Sequence, residues 1–321
     1  MIRLLGMGNA LTDVLIPIES DALLQELCLP KGSMQLINQN QYELILDRIE
    51  NMPKQLVCGG SAANTVTGAS RLGVDSAFIG KIHNDEVGFN YKRDLQSYEV
   101  QSYLLEGIQA SGQSLVFISP DGERTFATYL GAAASLSPEE IKSEFFQNST
   151  LFYIEGYLVQ NHSLILRAVQ MAKEAGLKVA LDLASYNIVE ENLDFLKEIM
   201  NSYVDYVFAN EKEAEALTGM QPEDAVELIA DHVEIAIVKI GKLGVIVQSG
   251  NDKFRVPAIE ANCVDTTGAG DLFASGFIYG LASGKSLAES ARYGTITAGK
   301  IIESIGPKMS NTGWDAVLSS F

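Results

Sequence analysis

Positive charge is scarce in this chain. Against 41 Asp and Glu it carries 23 Lys and Arg, a formal net charge of −18. So acidic a surface repels DNA, RNA and anionic membrane faces, which sets nucleic-acid and membrane partners aside. A polyanionic ligand must then be met locally, by a cation, backbone amides and a few basic side chains. Cysteine is equally sparse: Cys28, Cys58 and Cys263 are odd in number and form no CxxC pair, which argues against a disulfide framework or a zinc cluster. The three histidines, His83, His162 and His232, show no metal-ligand spacing and are expected on the surface or at helix caps. No apolar run reaches the roughly 20 residues of a membrane span. The opening MIRLLGMGNALTDVLI has one basic residue, glycines and Asp13 within its apolar stretch, and no small-residue cleavage site. It reads as a buried first strand, and the cytoplasm as the location. Repeats, low-complexity segments and Pro/Gly/Ser linkers are missing, so residues 1–321 are expected to form a single domain.

What is present is a change of pattern along the chain. The first third reads mostly as strands: Ile2 to Met7, Thr12 to Ile18, Ser33 to Ile37, Ala77 to Ile82, Val100 to Leu105, Gln113 to Ser119 and Arg124 to Tyr129. Pro120-Asp121-Gly122 marks a hairpin. From Leu151 onward, strands alternate with helices, ending in helices over Ala269 to Ala282 and Leu287 to Glu303. That alternation predicts βαβ units and a mostly parallel central sheet flanked by helices. The early strands without crossover helices are expected to form a separate small sheet, from segments near 12–18, 33–38 and 100–130. It would lie as a lid over the carboxyl ends of the main strands, where ligands of open α/β sheets bind.

Four segments carry candidate chemistry. In Asp265-Thr266-Thr267-Gly268-Ala269-Gly270-Asp271, small residues precede an apolar helix, so free amides at its N-terminus can form an anion hole. Asp271 can accept a proton from an attacking hydroxyl there, or simply cap the helix. In Cys58-Gly59-Gly60-Ser61-Ala62-Ala63-Asn64, paired glycines allow close backbone approach, and Asn64 offers a donor and an acceptor to a polyol. Asn9 and Asp13 leave an apolar strand together and suit either vicinal hydroxyls or a turn. Asn210 and Glu213 stand three apart at a helix start, which fits a water-held Mg²⁺ as well as a capping box. Two other motifs are set aside. Gly6-Met7-Gly8 lacks the third small residue and the helix of a dinucleotide fingerprint, and the run from Gly280 to Ser286 is one residue short of a P-loop.

GGSAANT and DTTGAGD resemble the two signatures of the PfkB, or ribokinase-like, carbohydrate kinase family, over nearly the whole chain. The spacing of GMGNALTD and the stretch LPKGSMQLI are most similar to its adenosine kinase-like branch. The resemblance implies a ribokinase-like α/β fold with a β-sheet lid, and an ATP-dependent kinase that phosphorylates a hydroxymethyl group of a nucleoside or sugar. It implies that Asp271 is the base and that the amides of Gly268, Ala269 and Gly270 hold the phosphoryl group, with Arg124 reaching it from the lid. Asn9, Asp13, Gly59, Gly60 and Asn64 would bind sugar hydroxyls, and Met34 with Leu36 would give an apolar wall suited to a flat base. Asn210 and Glu213 match an NxxE motif linked to Mg²⁺. Lys239, Gly241 and Gly244, in VKIGKLGV, match the nucleotide loop. A monovalent cation, K⁺, would sit by Asp265 and Thr267. Asp182-Leu183-Ala184 departs from the DPN-type strand end of many sugar kinases in the family. A sugar kinase and a silent nucleotide or sugar sensor are the alternatives, and monomer and homodimer both remain open.

Overall fold

A computed structural model describes residues 3–321. Nine strands build the large sheet: β1 (Leu4–Met7), β5 (Ser76–Ile82), β6 (Gln101–Glu106), β9 (Leu151–Glu155), β10 (Lys178–Asp182), β11 (Tyr206–Asn210), β12 (Ile235–Lys239), β13 (Val245–Ser249) and β14 (Asp252–Val256). Their order is β14-β13-β12-β11-β10-β9-β1-β5-β6. Pairing is parallel from β6 to β12 and antiparallel through the β12–β13–β14 edge. The central strands are apolar on both faces because both faces are covered. Phe152, Ile154, Val207 and Ala209 point into one core, whereas Leu151, Tyr153, Tyr206 and Phe208 point into the other.

The smaller sheet has the order β3-β8-β7-β2-β4, from β2 (Leu11–Pro17), β3 (Met34–Leu36), β4 (Gln55–Cys58), β7 (Gly112–Ile118) and β8 (Arg124–Tyr129). One face, with Val14, Leu115, Phe117 and Tyr129, is sealed by the helix Gln39–Arg48, whose Tyr42 stacks on Tyr129 at 4.4 Å. The opposite face carries two rows in register, Asp13–Ser114–Thr128–Leu36 and Leu15–Val116–Phe126–Met34.

The segment Val100 to Leu105 does not belong to this sheet. Its strand, β6, runs parallel to β5 at the edge of the large sheet. The reason is the intervening helix Glu86–Ser97, which makes β5 to β6 a βαβ crossover. That helix buries only Gly88, Tyr91 and Leu95, so its apolar stripe is too thin to read from sequence. The lid gains β4 instead, a four-residue strand antiparallel to β2. The reading also missed β14 and the helix Asn311–Ser320. Ile2, expected to open the first strand, lies outside the described residues.

Strand order reverses between β1 and β9, since β1 continues towards β5 on one side while β9 begins on the other. Such a switch opens a crevice at the carboxyl ends of the strands. Here it holds Glu155, the last residue of β9, which is 1% exposed. Its Oε1 accepts from the backbone N–H of Asn9 (2.9 Å) and from Asn9 Nδ2 (2.8 Å), and its Oε2 accepts from the N–H of Ala62 (2.9 Å). Burial pushes this carboxyl up to about 7 against the pull of those three bonds. Gly8 is required here, because a Cβ would run into the Glu155 carboxyl and stand 2.8 Å from Ala62 Cβ. Gly60, at φ +89°, turns the chain into the helix Ser61–Arg71. Glu155→Ala leaves three buried N–H donors unpaired and is expected to cost about 3 kcal/mol or more. Chemical denaturation checks this, and a loss of under about 1 kcal/mol, the worth of one ordinary hydrogen bond, would remove Glu155 as the brace.

Candidate active site

The helix Ala269–Ala282 starts from Gly268, whose φ of +77° only a glycine adopts freely. Asp271 stands in its first turn. Its Oδ1 accepts from Ser61 Oγ (2.7 Å) and its Oδ2 from Asn64 Nδ2 (2.9 Å), so the two glycine-led helices meet at one carboxylate. The same helices are joined below, where Ser275 Oγ donates to the carbonyls of Thr65 and Asp271, both at 2.9 Å. Burial pushes Asp271 up to about 6; Asn64 and Ser61 pull it down, Asp182 raises it and Lys239 lowers it. The N–H groups of Gly268 and Gly270 have no partner among the described residues. Ala269 differs from expectation, because its N–H is spent on the carbonyl of Thr266 at 3.1 Å, closing the turn before the helix.

Asp13 approaches from the lid. Its carboxyl makes no hydrogen bond among the described residues and faces the same cavity as Asp271, a space of about 960 Å³. Burial pushes it up to about 7, with Arg124 and Lys308 pulling down and Asp271 pushing up. Gly59 leaves room for it, since a Cβ there would stand 2.8 Å from Asp13 Oδ2.

The sheet side supplies the other end of the cavity. Asn210 and Glu213 form the capping box: Asn210 Oδ1 accepts from the N–H of Glu213 (3.0 Å), and Glu213 accepts from the N–H (2.7 Å) and Nδ2 (2.6 Å) of Asn210. Both still line the cavity, so capping the helix does not take them out of it. Burial pushes Glu213 up, and Lys239 opposes it. Lys239 Nζ donates to Asp182 Oδ2 at 3.1 Å. Burial disfavours the charge of Lys239, but Asp182 and Glu213 outweigh that and hold it above the ordinary lysine range. Gly241 and Gly244 line the cavity beside Lys239, both with positive φ. Beyond them the wall turns apolar, with Ala258, Ile259, Ala298, Gly299 and Ile302.

Among the described residues, no three His, Cys, Asp or Glu side chains gather as a metal site. A divalent ion held mainly by water and phosphate needs only a few outer acceptors. Glu213, Asn210 and Asp182 line one end of the cavity and fit that need. The monovalent-cation position does not fit. Arg124 bonds Asp265 Oδ2 (2.8 Å) and Thr267 Oγ1 (3.2 Å), and Asp265 also accepts from the N–H and Oγ1 of Thr267 and from the N–H of Gly306. A guanidinium already stands where a cation would neutralise Asp265.

Asp271, Asp13, Gly268, Ala269, Gly270, Asn210, Glu213, Lys239, Gly241, Gly244 and Thr267 therefore share one cavity. Asn64 and Arg124 reach it through their bonds to Asp271 and Thr267. Asn9 does not line it, because its amide is turned inward to Glu155. Met34 is 52% exposed on the Asp13-bearing face of the lid and lies outside this cavity, while Leu36 and Thr128 of that face, with Ile37 and Tyr129 of the other, line a second space of about 440 Å³. Sequence reasoning missed Ser61, Glu155 and Asp182 as site residues. Glu155 and Asp182 each end an apolar strand with a carboxylate, a signal that could have found them.

Residues 37–312 match the family described as pfkB family carbohydrate kinase. The crystal structure of a probable sugar kinase from Rhizobium etli CFN 42 is 33% identical, with a TM-score of 0.89 over 99% of this chain and 98% of its own. The adenosine kinase from Sinorhizobium meliloti is 35% identical, with a TM-score of 0.89 over 100% of this chain and 99% of its own. A ribokinase from Haemophilus influenzae is 27% identical over 265 residues, 80% of this chain and 84% of its own. With the family match spanning most of its length, and its fold shared end to end with two solved relatives, the chain belongs to the pfkB family of carbohydrate kinases.

Proposed function

We propose that this kinase moves the γ-phosphate of ATP to a hydroxymethyl group of an adenosine-like nucleoside, with Asp271 as general base. The observation that carries the reading is Asp271 itself. Its carboxylate is fixed by two donors, faces the unpartnered Asp13 within one cavity, and adjoins the free amides of Gly268 and Gly270.

Asp13, with Gly59, Gly60 and Asn64 around it, receives the sugar hydroxyls and turns the hydroxymethyl group to Asp271. Asn9 acts through Glu155, holding the helix that carries Ser61 and Asn64. Asp271 takes the proton of the hydroxyl as its oxygen bonds to the γ-phosphorus. The bond from that phosphorus to the β-phosphate oxygen breaks, and ADP leaves. The amides of Gly268 and Gly270 receive the transferring oxygens, and Arg124 passes from Asp265 to the phosphates as the lid settles. Asn210 and Glu213 would hold Mg²⁺ through water, and the ion would supply charge neutralisation on the phosphates. Gly241, Gly244 and the apolar wall beyond them accept the nucleotide.

The nucleoside choice is supported by Met34 and Leu36, exposed on the Asp13 face of the lid, and by the space beside Leu36, where a flat base can extend from a bound ribose. The 35% identity to a named adenosine kinase favours it too. A plain sugar kinase is the second reading, favoured by the relatives named for sugar and ribose.

ADP release is to be measured with adenosine, other nucleosides, ribose, fructose and 2-keto-3-deoxygluconate. Turnover confined to a sugar would sink the nucleoside choice and leave Asp271 in place. Asp271→Asn is expected to keep the fold and lower kcat about 10²- to 10⁴-fold; an undiminished kcat removes it as the base. The base works only deprotonated and its pKa is raised to about 6, so kcat/KM should be constant at higher pH and fall as pH drops through about 6. An acid limb at about 4, the ordinary value of an aspartate, would mean that Asp271 is not the group titrating.

A further inference from the structure

We infer that Lys239 is a catalytic cation whose ammonium contacts the transferring phosphoryl group, and that Asp182 is the positioning residue that aims it. The inference rests on the kinase reading and goes beyond it by adding a charge fixed on the sheet.

Lys239 is the last residue of β12, and its register partner on β11 is Asn210. Both therefore leave the sheet at its carboxyl edge, where ligands bind. From there the Lys239 side chain crosses to the helix Ala269–Ala282. A Cβ built on Gly270 would stand 3.2 Å from Nζ, and it meets no other side chain. The ammonium thus lies against the turn whose Gly268 and Gly270 amides are free, and it lines the cavity with them. Amides and ammonium border the same space, and a transferring phosphoryl group needs donors gathered in this way.

The aim of the side chain is fixed by more than its own pairing. Asp182, with a side chain 6% exposed, accepts from Lys239 at 3.1 Å, from Tyr153 Oη at 3.3 Å and from the N–H of Ala184 at 3.0 Å. Ala184 supplies that N–H from a left-handed backbone, φ +62°, which a non-glycine residue adopts at a cost. Strain is thus held where it orients a carboxylate, and the carboxylate orients the lysine. A mere counter-ion for Asp182 would explain little of this, because an ion pair so far out of water adds no stability over apolar packing. Lys212 and Lys242 line the same cavity but are exposed, so neither is fixed in this way.

Arg124 and Lys239 then divide the work. Arg124 comes from the lid and is paired with Asp265, so it reaches the phosphates only by exchanging partners. Lys239 comes from the sheet and stands in place already.

The test compares wild type, Lys239→Met, Lys239→Arg and Asp182→Asn with the acceptor that gives the highest turnover. Lys239→Met is expected to lower kcat about 10²- to 10³-fold while the Kd of MgATP, by equilibrium dialysis, and the acceptor KM each move less than about threefold. Lys239→Arg should recover about tenfold of that loss, and Asp182→Asn should lower kcat about tenfold with the same flat KM. Breaking a largely buried pair can unfold the chain, so the double variant K239M/D182N, which removes both charges together, is measured beside them and should be as slow as K239M. A double variant within about threefold of wild-type kcat overturns the inference, and so does a loss in K239M that lies in MgATP affinity. A wild type that phosphorylates no acceptor overturns the kinase reading and this inference with it, whereas an active wild type with equally active variants overturns this inference alone.

Discussion

The acceptor side of the site depends on one buried carboxylate. Glu155 fills the crevice between β1 and β9, where an open α/β sheet would otherwise admit ligand, and receives the N–H groups of Asn9 and Ala62 there. The helix Ser61–Arg71 is thereby anchored by its own N-terminus to the middle of the large sheet, as an anion anchors a helix. The consequence appears within the same turn. Ser61 and Asn64 project from that fixed end onto Asp271, so the orientation of this carboxylate, the proposed base, is inherited from a residue that does not line the cavity. Loosening Glu155 would free two helices and one carboxylate together.

The same logic, a carboxylate holding a donor, recurs on the side proposed for the phosphates. Asp182 holds Lys239, and Asp265 holds Arg124. The two differ in what moves. Asp182 and Lys239 both belong to strands of the large sheet, so that pair is fixed by the core. Asp265 belongs to the loop before the Ala269–Ala282 helix and Arg124 to the lid, so that pair joins two layers. This makes the position of the lid and the charge available to the phosphates a single variable, and it explains why Asp265 does not offer a seat to a monovalent ion while Arg124 occupies it.

Much of this was legible in the sequence, and the legible part has a physical cause. Glycines before an apolar helix announce close backbone approach, so the Gly59–Asn64 and Gly268–Asp271 segments could be read directly. Strand and helix alternation after Leu151 was equally plain, because buried parallel strands are continuous apolar runs. The lid was harder. The strand Gln55–Cys58 is short and partly exposed, and the helix Glu86–Ser97 has a thin buried stripe, so β6 was assigned to the wrong sheet. Glu155 and Asp182 escaped because their importance lies in partners about 90 to 150 residues away for Glu155 and 57 away for Asp182. Asn9 was read as a ligand group because sequence shows residue type and not direction; its amide points into the fold.

Five carboxylates, Asp13, Asp182, Glu211, Glu213 and Asp271, surround one cavity in a chain of net charge −18. Left alone they would repel a nucleotide, and burial answers part of that by raising Asp13 and Asp271 until protons are held near neutral pH. Protons solve the repulsion at the expense of the base, since a protonated Asp271 accepts nothing. An arriving polyanion would push its pKa higher still. Each cation set between Asp271 and the phosphates works in the opposite direction, and Lys239 already lowers Asp271 before any ligand arrives. In the proposed mechanism, nucleotide binding and base strength are therefore not independent: the side chains that would make the cavity tolerable to phosphate are the ones that would keep Asp271 ionised when the hydroxyl reaches it.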